Sequence, residues 1–185
     1  MTRYIAFLKA INVGGRNVKM EELRQIFQSM AFTNVETFIA SGNVIFETDF
    51  HDYAELQVKI EHQLLNKLGY EVSTFLRTDR QLAKIAQYKP FNEKVMSMAV
   101  AFNVGFMKQP LNKEQQNNVL SLSTDIDYFN THHTELYWTC QTRQSESTID
   151  AKKLERVISK PITLRTIKTI YRLTAKYPPA NYKPE

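Results

Sequence analysis

Scarcity is the first signal in this 185-residue chain. It has a single cysteine, Cys140, so no internal disulfide can form and a reducing compartment fits. Five glycines and six prolines leave little room for long flexible linkers or low-complexity segments. No window approaches the roughly 18 uninterrupted apolar residues of a membrane span. The N-terminus lacks the charged region, apolar stretch and small-residue cleavage site of a secretory leader, so the expectation is a cytoplasmic protein. What remains is an ordinary globular composition, 43% hydrophobic and 23% charged, which excludes disordered, collagen-like and disulfide-scaffold classes.

The net charge of +5 is unevenly placed. Residues 1–78 hold 8 Lys/Arg against 9 Asp/Glu, a net −1, and residues 79–185 hold 16 against 10, a net +6. An anionic partner would be drawn to the later half.

Periodicity divides the chain into alternating elements. Tyr4 to Ile11 is an apolar run of strand length ended by a loop, Asn12 to Asn17. Met20, Leu23, Ile26, Phe27 and Met30 share one helical face. Val35 to Ala40 and Val44 to Glu47 read as strands joined at Ser41, Gly42 and Asn43. Tyr53 to Leu68 is helical with Gly69 as its stop, and Tyr70 to Thr78 is extended. A short helix from Asp79 follows, closed by Pro90.

Val95 to Val104 then repeats the character of the opening strand, and Ala10 to Gly14 echoes Ala101 to Gly105 at an offset of 91. The same offset predicts strands at Ile126 to Thr131 and Leu136 to Trp138, a helix over Gln144 to Ser159, an extended Ile162 to Arg165, and a last helix carrying Ile167, Ile170, Tyr171 and Thr174. The predicted architecture is α+β: two ferredoxin-like (split βαβ) halves, 1–78 and 79–185, related by internal duplication, the second closing with a basic helix.

Lys9-Ala-Ile-Asn-Val-Gly-Gly15, followed by Ser41-Gly-Asn-Val-Ile-Phe46 and a closing Thr163 to Arg165, resembles the bacterial domain of unknown function 1697 family. The resemblance implies a two-part α+β fold and brings no established activity. Where relatives often follow the arginine with Asn, an aromatic, Asn and Thr, this chain has Thr166, Ile167, Lys168 and Thr169.

The loop after the first strand carries the candidate chemistry. Backbone amides of a glycine-bearing turn with Arg16 and Lys19 nearby can cradle a phosphate or carboxylate, although the pattern is neither a dinucleotide fingerprint nor a P-loop. The candidate ligand residues are Lys9, Asn12, Gly14, Gly15, Arg16, Asn17, Ser41, Gly42, Asn43 and Arg165. The leading reading is a binding module for a small anionic, phosphate-bearing ligand. One alternative is an enzyme acting on a phosphorylated or nucleotide-like small molecule, with Lys9, Arg16, Asn43 and Arg165 stabilising charge and no identifiable nucleophile. Another is nucleic-acid binding through Arg165, Lys168, Arg172 and Lys176, whose spacing puts them on one helical stripe. Against an RNA-recognition surface, Asn43 to Phe46 offers one ring.

No cofactor or metal signature stands out. Cys140 beside Trp138 reads as core. Adjacent His132 and His133 would point their rings apart in extended chain and suit a turn better than a metal pair, and His51 and His62 lack ligand-spaced companions. Asp125 and Asp127 read as strand-end solvation, and Phe129, Tyr137 and Trp138 as packing.

Overall fold

The computed structural model describes residues 1–12, 15–39 and 42–180. The first sheet takes its strands from β1 (Thr2–Leu8), β2 (Thr33–Thr37), β3 (Asn43–Thr48) and β4 (Thr74–Thr78), with α1 (Met20–Gln28) and α2 (Tyr53–Leu68) as crossovers. Its order is β2-β3-β1-β4 and each described pairing is antiparallel. After α3 (Asp79–Gln87) and α4 (Glu93–Ser97) the second sheet uses β5 (Ala101–Phe106), β6 (Asp127–His132), β7 (Glu135–Cys140) and β8 (Thr163–Thr166), with α5 (Lys113–Leu120) and α6 (Ala151–Ile158) as crossovers. Its order, β6-β7-β5-β8, is the same pattern, again antiparallel. The chain closes with α7 (Ile167–Lys176). This is a mixed α+β protein with two four-stranded antiparallel sheets, each carrying helices.

Two compact units divide the chain: Met1–Ala83 with Leu173–Glu185, and Lys84–Arg172. The expected boundary at Thr78/Asp79 thus falls a few residues early, and the tail expected with the later half joins the first unit. Its anchor is chemical. Lys176 Nζ and the Tyr177 hydroxyl both donate to Glu36 Oε2 at 2.7 Å, and the buried Tyr177 ring meets Phe38 edge-on.

Local signals explain the helices. Asp52 caps α2 by accepting from Glu55 N, and Gly69 ends it at φ 76°. Leu23, Ile26 and Phe27 of α1 and Leu56, Ile60 and Leu64 of α2 bury their apolar stripes with Tyr4, Phe46 and Leu76 of the first sheet. In the second unit Val119, Leu154 and Ile158 pack with Leu136 and Trp138.

Several expectations change. Residues 93–97 form α4 rather than strand, because Asn92 caps that helix through Val95 N, so β5 begins at Ala101. The helix expected over Gln144 to Ser159 is a 3-10 turn at Gln144–Glu146 followed by α6, whose start is fixed by Asp150 accepting from Lys153 N. Of Tyr70 to Thr78 only the last five residues are strand, with Thr74 N donating to Glu61 Oε1 at 2.7 Å.

The echo at offset 91 does not join equivalent places. Ala10 lies in a turn at φ 58°, after β1 has ended, whereas Ala101 to Gly105 lies inside β5. The echo that matches structurally is Leu76-Arg77-Thr78 with Leu164-Arg165-Thr166. In register, Arg77 pairs with Ile5 on the central β1, and Arg165 with Val104 on the central β5.

Candidate functional site

The end of β1 is held from both sides: Leu8 N donates to Gly42 O at 2.8 Å and Lys9 N to Ser73 O at 2.9 Å. Beyond it Ile11 is buried and its carbonyl accepts the Tyr70 hydroxyl at 3.1 Å. Asn12 Oδ1 accepts from Val18 N at 2.8 Å, spanning the loop. Gly42 sits at φ 72°, and a Cβ there would lie 2.7 Å from Ile11 Cγ2 and 3.2 Å from Leu8 Cβ, so the turn before β3 approaches this closely only as glycine. The loop after β1 and the turn before β3 therefore touch. Gly14 and Ser41 lie outside the described residues.

Within this meeting point the side chains divide by task. Asn43 is fully buried and its Nδ2 donates to Phe38 O at 3.0 Å, which shapes the turn. Lys9 and Asn12 are half-buried, while Gly15, Arg16 and Asn17 are exposed. The Arg16 guanidinium carbon lies 3.9 Å from the Tyr70 ring centroid. This is cation–π distance, and the contact uses the charge of the guanidinium without occupying an acceptor for its five N–H donors. Among the described residues no carboxylate pairs with Arg16. Gly15, at φ 82°, has open space where a Cβ would be. The start of α1 is less welcoming to an anion, because its first turn already holds Glu21 and Glu22.

Arg165 belongs to the second unit, in β8, and is 9% exposed. Its Nη1 donates to Thr163 Oγ1 and to Leu164 O, both at 2.9 Å, and burial pushes its pKa down to about 10. Arg77 makes the same backward reach, from Nη1 to Leu76 O at 2.5 Å, with Tyr53 Oη 3.3 Å away.

The expected helical stripe of cations is also redrawn. Arg165 precedes α7 and sits in a strand, whose two-residue period breaks the 100° spacing. Lys176 is paired with Glu36. Lys168 and Arg172 are exposed on α7.

Other residues take structural roles. Cys140 is fully buried, with Sγ 3.4 Å from Thr142 Oγ1. Asp127 is not a solvated strand end: it is 1% exposed and accepts from Trp138 Nε1 at 2.7 Å and Ser147 Oγ at 2.8 Å. His133 stands in a turn, as the adjacent histidines suggest, at φ 51°, and the His132 and His133 ring centroids lie 4.1 Å apart. His132 also stacks on Tyr88 at 4.2 Å. Sequence reasoning missed Tyr70, Glu36 and Tyr177 as partners, since each acts on a residue far away along the chain. Among the described residues no three His, Cys, Asp or Glu side chains gather to hold a metal, and no helix is long and apolar enough to cross a membrane. A shallow hollow of about 520 Å³ on α2, lined by Phe50, Ala54, Glu55, Val58, Lys59 and His62, involves none of the predicted ligand residues.

The fold and the turn after β1 define an α+β protein of paired antiparallel sheets with an exposed cationic loop. The chain belongs to the family described as Protein of unknown function (DUF1697), whose model matches residues 1–137. It is similar to the solved structure of conserved bacterial protein SP0830 from Streptococcus pneumoniae, with a TM-score of 0.73 and 22% identity over 94% of this chain and 97% of that chain, a likeness of fold. No curated protein matches it.

Proposed function

We propose that the chain is a binding module for a small phosphate-bearing ligand at the turn after β1. The observation that carries this reading is Arg16, held over the Tyr70 ring and unpaired with any described carboxylate, beside the open backbone of Gly15. A guanidinium fixed by stacking presents its N–H edge at lower entropic cost than a free one, and an edge-on fork suits phosphate oxygens. Lys9, Asn17 and the amides around Gly15 supply further positive potential. Asn12 and Asn43 act behind them by setting the turns, and Gly42 by letting the turns touch. Arg165 enters this reading only as a buried charge of the second unit.

Thermal-shift measurements with inorganic phosphate, phosphosugars and nucleotides test it. At least one is expected to raise the melting temperature of the wild type and to lose its effect in Arg16→Ala and Tyr70→Leu. A panel without any shift, or a shift that survives both substitutions, sinks the reading.

We further infer that each unit is a ferredoxin-like half and that the two arose by duplication in a cytoplasmic protein. Two features support this: the shared strand order, and the Leu-Arg-Thr segment at the same register in each fourth strand.

A further inference from the structure

The whole net charge belongs to one unit. Lys84–Arg172 holds 13 Lys/Arg against 8 Asp/Glu, a net +5, and the remainder holds 11 of each. The helix layers show where the difference arises. In the first unit α1 and α2 carry Arg24, Lys59 and Lys67 against Glu21, Glu22, Glu55 and Glu61, and Arg24 pairs with Glu21 at 2.8 Å. In the second, α5 and α6 carry Lys113, Lys152, Lys153 and Arg156 against Glu114 and Glu155, with Lys160 just beyond α6. Both layers do the same packing work against the same type of sheet, so the fold does not call for the lysines.

The acids of this surface are largely engaged. Glu155 Oε1 accepts from Ile162 N at 2.8 Å and Asp150 Oδ1 from Lys153 N at 2.7 Å. Among the described residues Lys113, Lys152, Lys153, Arg156 and Lys160 form no ion pair. The two helices are tied together by Gln115 Nε2 donating to Ile158 O at 2.6 Å and Lys160 Nζ to Pro110 O at 3.0 Å, which brings the start of α5 to the end of α6. Lys152 and Arg156 stack one turn apart, about 6 Å along the axis, a like-charge neighbour pair that disfavours the isolated helix.

We propose that the α5–α6 layer of the second unit is a docking surface for the phosphate backbone of a nucleic-acid duplex. Charge complementarity selects a polyanion, and the side chains select its form. Neither helix contains an aromatic residue, so unstacked bases find no platform there. The exposed Asn117 and Asn118 amides instead suit phosphate oxygens. The contacts read no base edge, so binding is independent of sequence.

Fluorescence anisotropy with a short labelled DNA duplex over a salt series tests the proposal. Five phosphate contacts, one each for Lys113, Lys152, Lys153, Arg156 and Lys160, give a slope of log K against log salt of about −4.5. Lys152→Gln with Arg156→Gln, checked for folding by circular dichroism, is expected to flatten that slope by about 1.8. Lys168→Gln with Arg172→Gln, and Arg16→Gln at the turn after β1, are expected to leave it unchanged, which separates this surface from the ligand reading. A flat salt response, tighter binding to single strands, binding to anionic vesicles but not duplex, or loss from the α7 pair while the α6 pair is silent would each overturn it.

Discussion

Where Tyr4 stacks on Phe46 in the first sheet, with ring centroids 5.7 Å apart, the matching register of the second sheet places Asn103 opposite Trp138. The first unit fills its core with rings: Phe46 also lies against Phe32 at 4.5 Å and Phe27 at 5.5 Å. The second stacks Phe129 on Trp138 at 5.7 Å and then ties the indole to the buried Asp127. One strand order is thus compatible with two ways of filling a core, dispersion between rings in one and a satisfied polar network in the other. Common to both is the arginine of the fourth strand, folded back on the carbonyl before it.

The contrast can be sharpened by substitution. Phe46→Ala removes a ring with several ring neighbours and is expected to cost about 3 to 5 kcal/mol by chemical denaturation, with lost hydrogen-exchange protection concentrated in β1, β2 and β3. Protection lost equally in the second sheet would break the comparison. Asp127→Ala leaves the fully buried Trp138 Nε1 without its acceptor and is expected to cost about 2 to 3 kcal/mol, with the 3-10 turn loosened because Ser147 loses the same carboxylate. If Asp127→Ala were neutral, the polar network would not be what specifies the second core.

The smallest effect concerns the tail. Hydrogen bonds from Lys176 and then Tyr177 hold the Glu36 carboxyl below its ordinary value of 4.5. A lowered folded pKa means that the contribution is fully present above the unfolded value and is lost as pH falls through the folded one. Because the pair is half exposed, it is expected to amount to less than about 1 kcal/mol. Comparing wild type with Glu36→Gln by urea denaturation from neutral to acidic pH checks it: the difference should shrink on acidification, and a difference that grows would contradict the sign.

Much of the fold was legible locally. The bounds of α2 follow from apolar spacing and from Gly69, and the hairpin near His132 from the strands flanking it. The opening strand was legible too, although its expected end at Ile11 runs past Leu8 because Ala10 turns at positive φ. The second unit was harder. Its best sequence echo joined a turn to a strand, and α4 interrupted a run of apolar residues that reads equally well as strand. Of the candidate site, the exposed loop was legible, but the partner that fixes Arg16 was not.

Alone, the amino-acid order determined most kinds of element, the absence of an internal disulfide and the late excess of positive charge, because each depends on composition or on spacings of a few residues. Tertiary structure decided which turns touch, which arginines are buried, and that the charge gathers on one unit and its α5–α6 layer. The reason is range. Tyr70 reaches Ile11 across 59 positions and Tyr177 reaches Glu36 across 141, separations at which no periodicity along the chain carries information.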